Sequence, residues 1–135
     1  MQVTKNSQVV DFIKEVEKFK TVTRTCRTTG TDRAESDAEY TWHLVMLLMT
    51  LEDELQDVDF IKLLKLALIH DLPEIYAGDT NPYRDNVADK EEVEQLAAAK
   101  LFDLLPHNIE SNFMALFQEY VAQETVESKI RQVGR

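Results

Sequence analysis

The segment ALIHDLPEIYAGDT, residues 67–80, places four proton-active side chains directly after an apolar run. The four are His70, Asp71, Glu74 and Asp79, and one proline and one glycine interrupt them. Burying polar groups costs free energy unless they have hydrogen-bonding or ionic partners. The segment therefore predicts either partners that neutralise these groups or a chemical function that uses them.

His70 and Asp71 are adjacent on the last turn of a predicted buried helix, so both side chains can face one edge of a helical bundle. An imidazole and a carboxylate are suitable ligands for a divalent first-row metal. The alternative is that His70 caps its helix and Asp71 hydrogen-bonds a nearby arginine.

Glu74 and Asp79 add two carboxylates close to the same helix end. Converging carboxylates repel one another, and a metal ion or the arginines of a preceding loop would relieve that repulsion. The alternative is that Asp79 caps the GDTNP turn while Glu74 is solvated. Trp42 and His43, on the preceding helix, are interpreted as core residues with a satisfied imidazole.

Helical periodicity extends over most of the chain. The predicted helices cover residues 8–20, 37–54, 58–72, 87–104, 108–122 and a segment after residue 125. Residues 36–39 fit a capping box, which predicts that the second helix begins at Asp37. Asn108 is the predicted N-cap of the fifth helix.

The positions of the apolar residues predict which face of each helix is buried. The first helix is amphipathic. The second contains WHLVMLLMTL, which is apolar nearly all round and predicts a helix buried at the centre of the bundle. The predicted inward positions of the fourth helix are Val93, Leu96, Ala97 and Leu101. The threonine-rich segment 21–35, with Arg24, Arg27 and Arg33, lacks helical periodicity and predicts a long loop.

A chain of 135 residues with 44% hydrophobic content predicts one domain over residues 1–135. Three glycines, three prolines and no strand-type alternation predict an all-α bundle of about six helices. The net charge of −10 argues against nucleic-acid binding but leaves a small phosphate ligand open. One cysteine, no membrane-length apolar stretch and no signal-peptide pattern predict a cytoplasmic protein that does not bind membranes.

Two motifs, AESDAEYTWHLVMLLM and LIHDLPEIYAGDT, resemble the HD-domain metal-dependent phosphohydrolases, and within them the branch that includes 5'-deoxynucleotidases. The resemblance covers residues 8–135 and implies a single HD-type helical domain with one divalent cation, Mn, Co, Ni or Mg. The family's ligands are a histidine from the second helix, the His-Asp pair and an aspartate from a late helix. The cation polarises phosphate and holds a water that attacks phosphorus.

The resemblance assigns roles residue by residue. His70 and Asp71 match the two central metal ligands. Glu74 matches an acid near the attacking water and the leaving group, and Asp79 matches a second acid that orients the nucleophile or substrate. Arg24 matches a loop arginine that contacts phosphate, a task suited to a guanidinium.

Two positions depart from the family pattern. Tyr40 stands where the first histidine ligand is expected, and a phenol with a pKa near 10 is a poor replacement for imidazole. Continuing the register of the late segment places Arg135 where the last aspartate is expected. These substitutions predict weak or absent metal binding, and His43, one turn beyond Tyr40, is an alternative substitute ligand.

Two functions follow from the resemblance. One is a metal-dependent phosphohydrolase acting on a nucleotide or similar small phosphomonoester, with Glu74 and Asp79 assisting catalysis. The alternative is a degenerate HD domain that has lost tight metal binding and acts as a non-catalytic phosphate-binding or interaction module. The family often forms dimers, so a homodimer is a further expectation.

Overall fold

The computed structural model describes residues 4–27, 33–78 and 87–132. Helices dominate this part of the chain, in the order α1 (Lys5–Val16), α2 (Asp37–Thr50), α3 (Phe60–Ile69), α4 (Glu74–Ala77), α5 (Val87–Phe102) and α6 (His107–Ala122). The 3₁₀ segments are Glu17–Thr21, Glu52–Glu54 and Glu127–Gln132, and the strands are β1 (Thr23–Arg27) and β2 (Ala34–Ser36). The all-α prediction is confirmed. Within the described ranges, no helix is both long and apolar enough to cross a membrane.

The threonine-rich segment before α2 contains an antiparallel strand pair, so the prediction of a long loop is wrong there. Thr23 pairs with Ser36, and Arg27 pairs with Ala34. Threonine is β-branched and favours extended backbone. Strands of five and three residues are too short to show a recognisable apolar alternation in the sequence. The pair places Arg24 beside the beginning of α2.

Helix α2 begins where the capping box predicted. The Ser36 hydroxyl accepts a hydrogen bond from the Glu39 N–H at 3.1 Å, and the Ser36 N–H donates to Glu39 Oε1 at 3.0 Å. Asp37, the first helical residue, donates its own N–H to the Val22 carbonyl at 2.7 Å. These bonds fix the backbone of Asp37 from both sides.

Ionised Glu39 strengthens the beginning of α2. Arg33 donates two hydrogen bonds to its carboxylate, at 2.7 and 2.5 Å, and these bonds, followed by the bond from Ser36, lower the pKa of Glu39 to about 2. A depressed pKa adds stability above the unfolded-state value of roughly 4.3, and this stability is lost as the pH falls through the folded-state value. We expect the stability advantage of the wild type over Glu39→Gln to shrink from about pH 5 to about pH 2 in urea unfolding. A difference that does not vary with pH would contradict this.

One face of α2 is exposed, so the prediction of a helix buried all round is wrong. Leu44 and Leu48 are buried, whereas Trp42 is 66% exposed and Met49 is 53% exposed. His43 is exposed as well, so the interpretation of Trp42 and His43 as core residues is also wrong. Hydrophobicity tells which side chains can be buried, but the number of neighbouring elements decides how many helix faces are covered.

The core lies where α3, α5 and α6 meet α1 and α2. The apolar side chains that are fully buried include Leu48, Leu66, Leu101, Phe102, Phe117 and Ile130. The Phe102 ring packs against Phe12 at 6.4 Å and edge-to-face against Phe113 at 5.6 Å between ring centroids. Aromatic packing therefore ties α1 to α5 and α6.

Several predicted boundaries and faces need correction. On α5, Ala97 faces inward as predicted, but Val93 and Leu96 are exposed. Helix α3 ends at Ile69 instead of residue 72, because a tight turn of residues 70–73 leads into α4. Asn108 is not an N-cap, since α6 already begins at residue 107 after Pro106.

Leu66 and Leu68 test how α3 is anchored, because they lie on opposite sides of the same helix. Leu66 is fully buried, whereas Leu68 is 51% exposed. We expect Leu66→Ala to lower the free energy of unfolding by roughly 2–5 kcal/mol through lost contacts and an internal cavity. Leu68→Ala is the matched control and should cost under about 1 kcal/mol. Equal losses in urea unfolding would contradict the orientation of α3.

Candidate metal centre

Three carboxylates converge where α2 begins and α3 gives way to α4. Asp37 is the first residue of α2, Asp71 lies in the turn between α3 and α4, and Glu74 is the first residue of α4. Each offers a carboxylate oxygen that lies within 4.8 Å of the other two. The turn is closed by a hydrogen bond from the Glu74 N–H to the Asp71 carbonyl at 2.9 Å. The predicted convergence of Asp71 and Glu74 is therefore present.

His70 extends this group of carboxylates. Its Nε2 lies 3.2 Å from Asp71 Oδ2, and its Nδ1 lies 2.8 Å from the Ala67 carbonyl oxygen. A carbonyl only accepts hydrogen bonds, so Nδ1 carries a proton, as it does in histidines that bind metal through Nε2. Two ligands each about 2.1 Å from one metal ion lie roughly 3.0–3.5 Å apart, which the Nε2 to Oδ2 distance matches.

Glu74 is buried, so the alternative that it is solvated is wrong. Its residue exposure is 8%, and its Oε2 has no hydrogen-bond partner among the described residues. A buried carboxylate oxygen without a donor is costly, and a cation or a proton donor would relieve that cost. This oxygen supports the fit of a divalent cation to the group Asp37, Asp71 and Glu74, and His70 lies next to that group.

Arg24 is the basic side chain beside the carboxylates. One of its terminal nitrogens lies 3.8 Å from Asp37 Oδ1 and 3.9 Å from Asp71 Oδ2, and its Nε lies 3.9 Å from Glu35 Oε2. Its guanidinium also stacks 3.8 Å above the Tyr40 ring. The alternative that Asp71 contacts an arginine is thus present as an ion pair.

Sequence reasoning missed Asp37 as a site residue. It was interpreted only as the beginning of a helix, because the capping box explained its position. The available signal was an acid one helical turn before Tyr40, the position where the resemblance expects a ligand. Asp79 and Arg135 lie outside the described residues, so their assigned roles stay predictions.

The chain matches a known protein family over most of its length. The sequence pattern that defines the HD domain matches residues 16–133. The chain belongs to the HD-domain family. This match confirms the resemblance that the motifs around residues 34–49 and 68–80 indicated.

Similar proteins include two 5'-deoxynucleotidases and one phosphohydrolase of solved structure. The chain is 32% identical over 124 residues to the 5'-deoxynucleotidase HDDC2 of Xenopus laevis, covering 90% of this chain and 60% of that protein. The 5'-deoxynucleotidase HDDC2 of Homo sapiens is 28% identical over 90% of this chain and 59% of that protein. A predicted metal-dependent phosphohydrolase from Magnetospirillum magnetotacticum superimposes with a TM-score of 0.82 and 38% identity, over 93% of this chain and 65% of that one. The chain thus spans about three-fifths of the two deoxynucleotidases.

Proposed function

We propose that this HD domain is a divalent-metal-dependent phosphohydrolase acting on a nucleotide or a similar small phosphomonoester. The observation that carries the proposal is the meeting of three carboxylates, His70 and Arg24 at one end of the bundle. Acidic and imidazole groups suit a divalent cation, and a guanidinium suits a phosphate. The named relatives support the same reaction class.

His70 and Asp71 hold the cation in this proposal. When bound, the cation supplies Lewis-acid polarisation of a phosphoryl oxygen and a water molecule of lowered pKa. His70 is kept in the required tautomer by its bond to the Ala67 carbonyl. Arg24 binds the phosphate, and the Tyr40 ring orients its guanidinium by stacking.

Glu74 moves the proton. Water attacks phosphorus, the phosphate ester bond to the leaving oxygen breaks, and the leaving oxygen needs a proton. The Glu74 carboxylate is suited to take the proton from the attacking water and return it to the leaving oxygen, because it lies against Asp71 and is shielded from solvent. Asp79 is proposed to orient the nucleophile or substrate.

Deoxynucleoside 5'-monophosphates are the proposed substrates, because the relatives from Xenopus laevis and Homo sapiens are named 5'-deoxynucleotidases. The chain carries a net charge of −10, so an anionic substrate depends on Arg24 and the cation for attraction. The reported relatives do not support the alternative of a non-catalytic module.

The test is a phosphate-release assay on the purified chain with Mn²⁺, Co²⁺, Ni²⁺ or Mg²⁺. The substrate panel contains the deoxynucleoside 5'-monophosphates, their ribose counterparts and p-nitrophenyl phosphate. We expect hydrolysis of at least one substrate that stops with EDTA and returns with added metal. Glu74→Gln should reduce the rate by roughly 10²- to 10⁴-fold, as loss of a proton-transfer group does.

One control separates this activity from contamination. The Glu74→Gln protein is purified identically, so a contaminating phosphatase would give the same rate in both preparations. Absence of phosphate release from every substrate with every metal, by a protein that shows cooperative unfolding, would contradict the proposed function.

A further inference from the structure

The family resemblance assigns no role to Asp37. This residue is nevertheless a completely buried member of the carboxylate group. We propose that Asp37 is a direct ligand of the divalent cation, together with Asp71, whose carboxylate also lies 3.2 Å from His70 Nε2. The inference rests on the proposed function only in that both require a bound cation. It names a ligand that replaces the histidine expected at position 40.

The backbone around Asp37 presents its side chain in a defined position. The residue begins α2 within the capping box, and its N–H bonds to the Val22 carbonyl at 2.7 Å. Its carboxylate lies within 4.8 Å of ligand atoms of Asp71 and Glu74. A side chain held this way needs little reordering to bind a metal ion, which favours affinity.

A second observation, independent of Asp37, points to a cation in the same place. Glu74 is more than nine-tenths buried, and its Oε2 lacks a hydrogen-bond partner among the described residues. His70 Nε2 lies 3.2 Å from Asp71 Oδ2, the neighbouring member of the carboxylate group. Asp37, Asp71 and Glu74 therefore bring carboxylate oxygens, ligand atoms of the kind that Mn²⁺ accepts, within 4.8 Å of one another.

Tyr40 explains why a new ligand is required. It lies three residues after Asp37, so both side chains share one face of α2. The Arg24 guanidinium carbon lies 3.8 Å from the centroid of the Tyr40 ring. The aromatic surface of Tyr40 therefore positions the arginine. A tyrosine in this role does not provide an imidazole, and the carboxylate one turn earlier on the helix fills the ligand position.

The test measures Mn²⁺ binding to the metal-free chain by isothermal titration calorimetry, without substrate. We expect one Mn²⁺ per wild-type chain and at least a tenfold weaker Kd for Asp37→Asn, because changes to mere partners of ligands already weaken binding by roughly 10- to 100-fold. Glu35→Gln is the matched control. It removes the same charge next to the same arginine, at 3.9 Å from Arg24 Nε, but lies outside the carboxylate group, and its Kd should change less than threefold.

A thermal unfolding measurement distinguishes a ligand from a residue that only supports the fold. Without metal, the Tm of Asp37→Asn combines the lost ion pair with Arg24 and the relieved carboxylate repulsion, and it is the reference for that variant. Saturating Mn²⁺ should then raise the Tm of the wild type by more than it raises that of the variant, because the variant loses stabilisation that binding provides. A merely structural role would lower Tm equally in both conditions.

Asp37→Ser is the second variant and takes the place of Asp37→Asn if the latter does not unfold cooperatively. Wild-type affinity in a folded Asp37 variant, or equal weakening by Glu35→Gln, would overturn the inference. So would a wild-type chain that binds no Mn²⁺. Metal-dependent phosphate release is measured separately. An Asp37 variant that keeps wild-type metal affinity and metal-dependent hydrolysis would refute the ligand role but support the proposed function.

Discussion

Alanine at position 71 is expected to reduce kcat/KM for phosphomonoester hydrolysis by roughly 10³-fold or more. Asp71 lies between His70 Nε2 at 3.2 Å and Arg24 at 3.9 Å, so its removal disturbs both the cation and the phosphate-binding arginine. Lewis-acid stabilisation by a metal amounts to several kcal/mol, and each 1.36 kcal/mol is about a factor of ten in rate. The measurement is steady-state phosphate release at saturating Mn²⁺.

The control for this change is Asp103→Ala, which removes an exposed aspartate from the turn after α5. Its kcat/KM should stay within about twofold of the wild type, as expected for a surface substitution. Mn²⁺ affinity measured in parallel should fall for Asp71→Ala and stay constant for Asp103→Ala. An active Asp71→Ala enzyme with unchanged metal affinity would place the metal elsewhere.

Replacing Arg24 is expected to have the second largest effect. Arg24→Ala removes the proposed phosphate contact and should lower kcat/KM by roughly 10²-fold, since hydrogen bonds to charged groups contribute about 1.5–3 kcal/mol. Most of the loss should be a higher KM, because Arg24 binds the substrate phosphate in the proposal and does not transfer protons. Arg24→Lys keeps the charge but not the planar guanidinium stacked on Tyr40. Its kcat/KM should therefore lie between the values of the wild type and Arg24→Ala.

The comparison protein for Arg24 is Lys20→Ala. Lys20 is an exposed basic residue in the 3₁₀ segment before β1, where it pairs with Glu17 at 2.9 Å. Loss of one positive charge from the surface should leave KM within about twofold. Equal increases in KM for Arg24→Ala and Lys20→Ala would show that Arg24 acts through general electrostatic attraction and does not contact the phosphate.

The sequence by itself determined the features that depend on neighbouring residues. The capping box at Ser36 placed the beginning of α2 correctly, because its hydrogen bonds join residues three apart. The apolar period and the scarcity of glycine and proline determined the helical class. The motif around His70 and Asp71 placed two candidate ligands side by side, since two adjacent residues at a helix end cannot be far apart.

The tertiary structure decided which surfaces of those helices meet. Burial of Glu74, the exposed face of α2 around Trp42 and the proximity of Asp37 to Asp71 all depend on elements distant in sequence. Asp37 and Asp71 are separated by more than thirty residues, and no periodicity connects them. Residue patterns record the preference of each segment for burial or for a backbone shape, whereas the packing of α2 against the turn between α3 and α4 brings the carboxylates together.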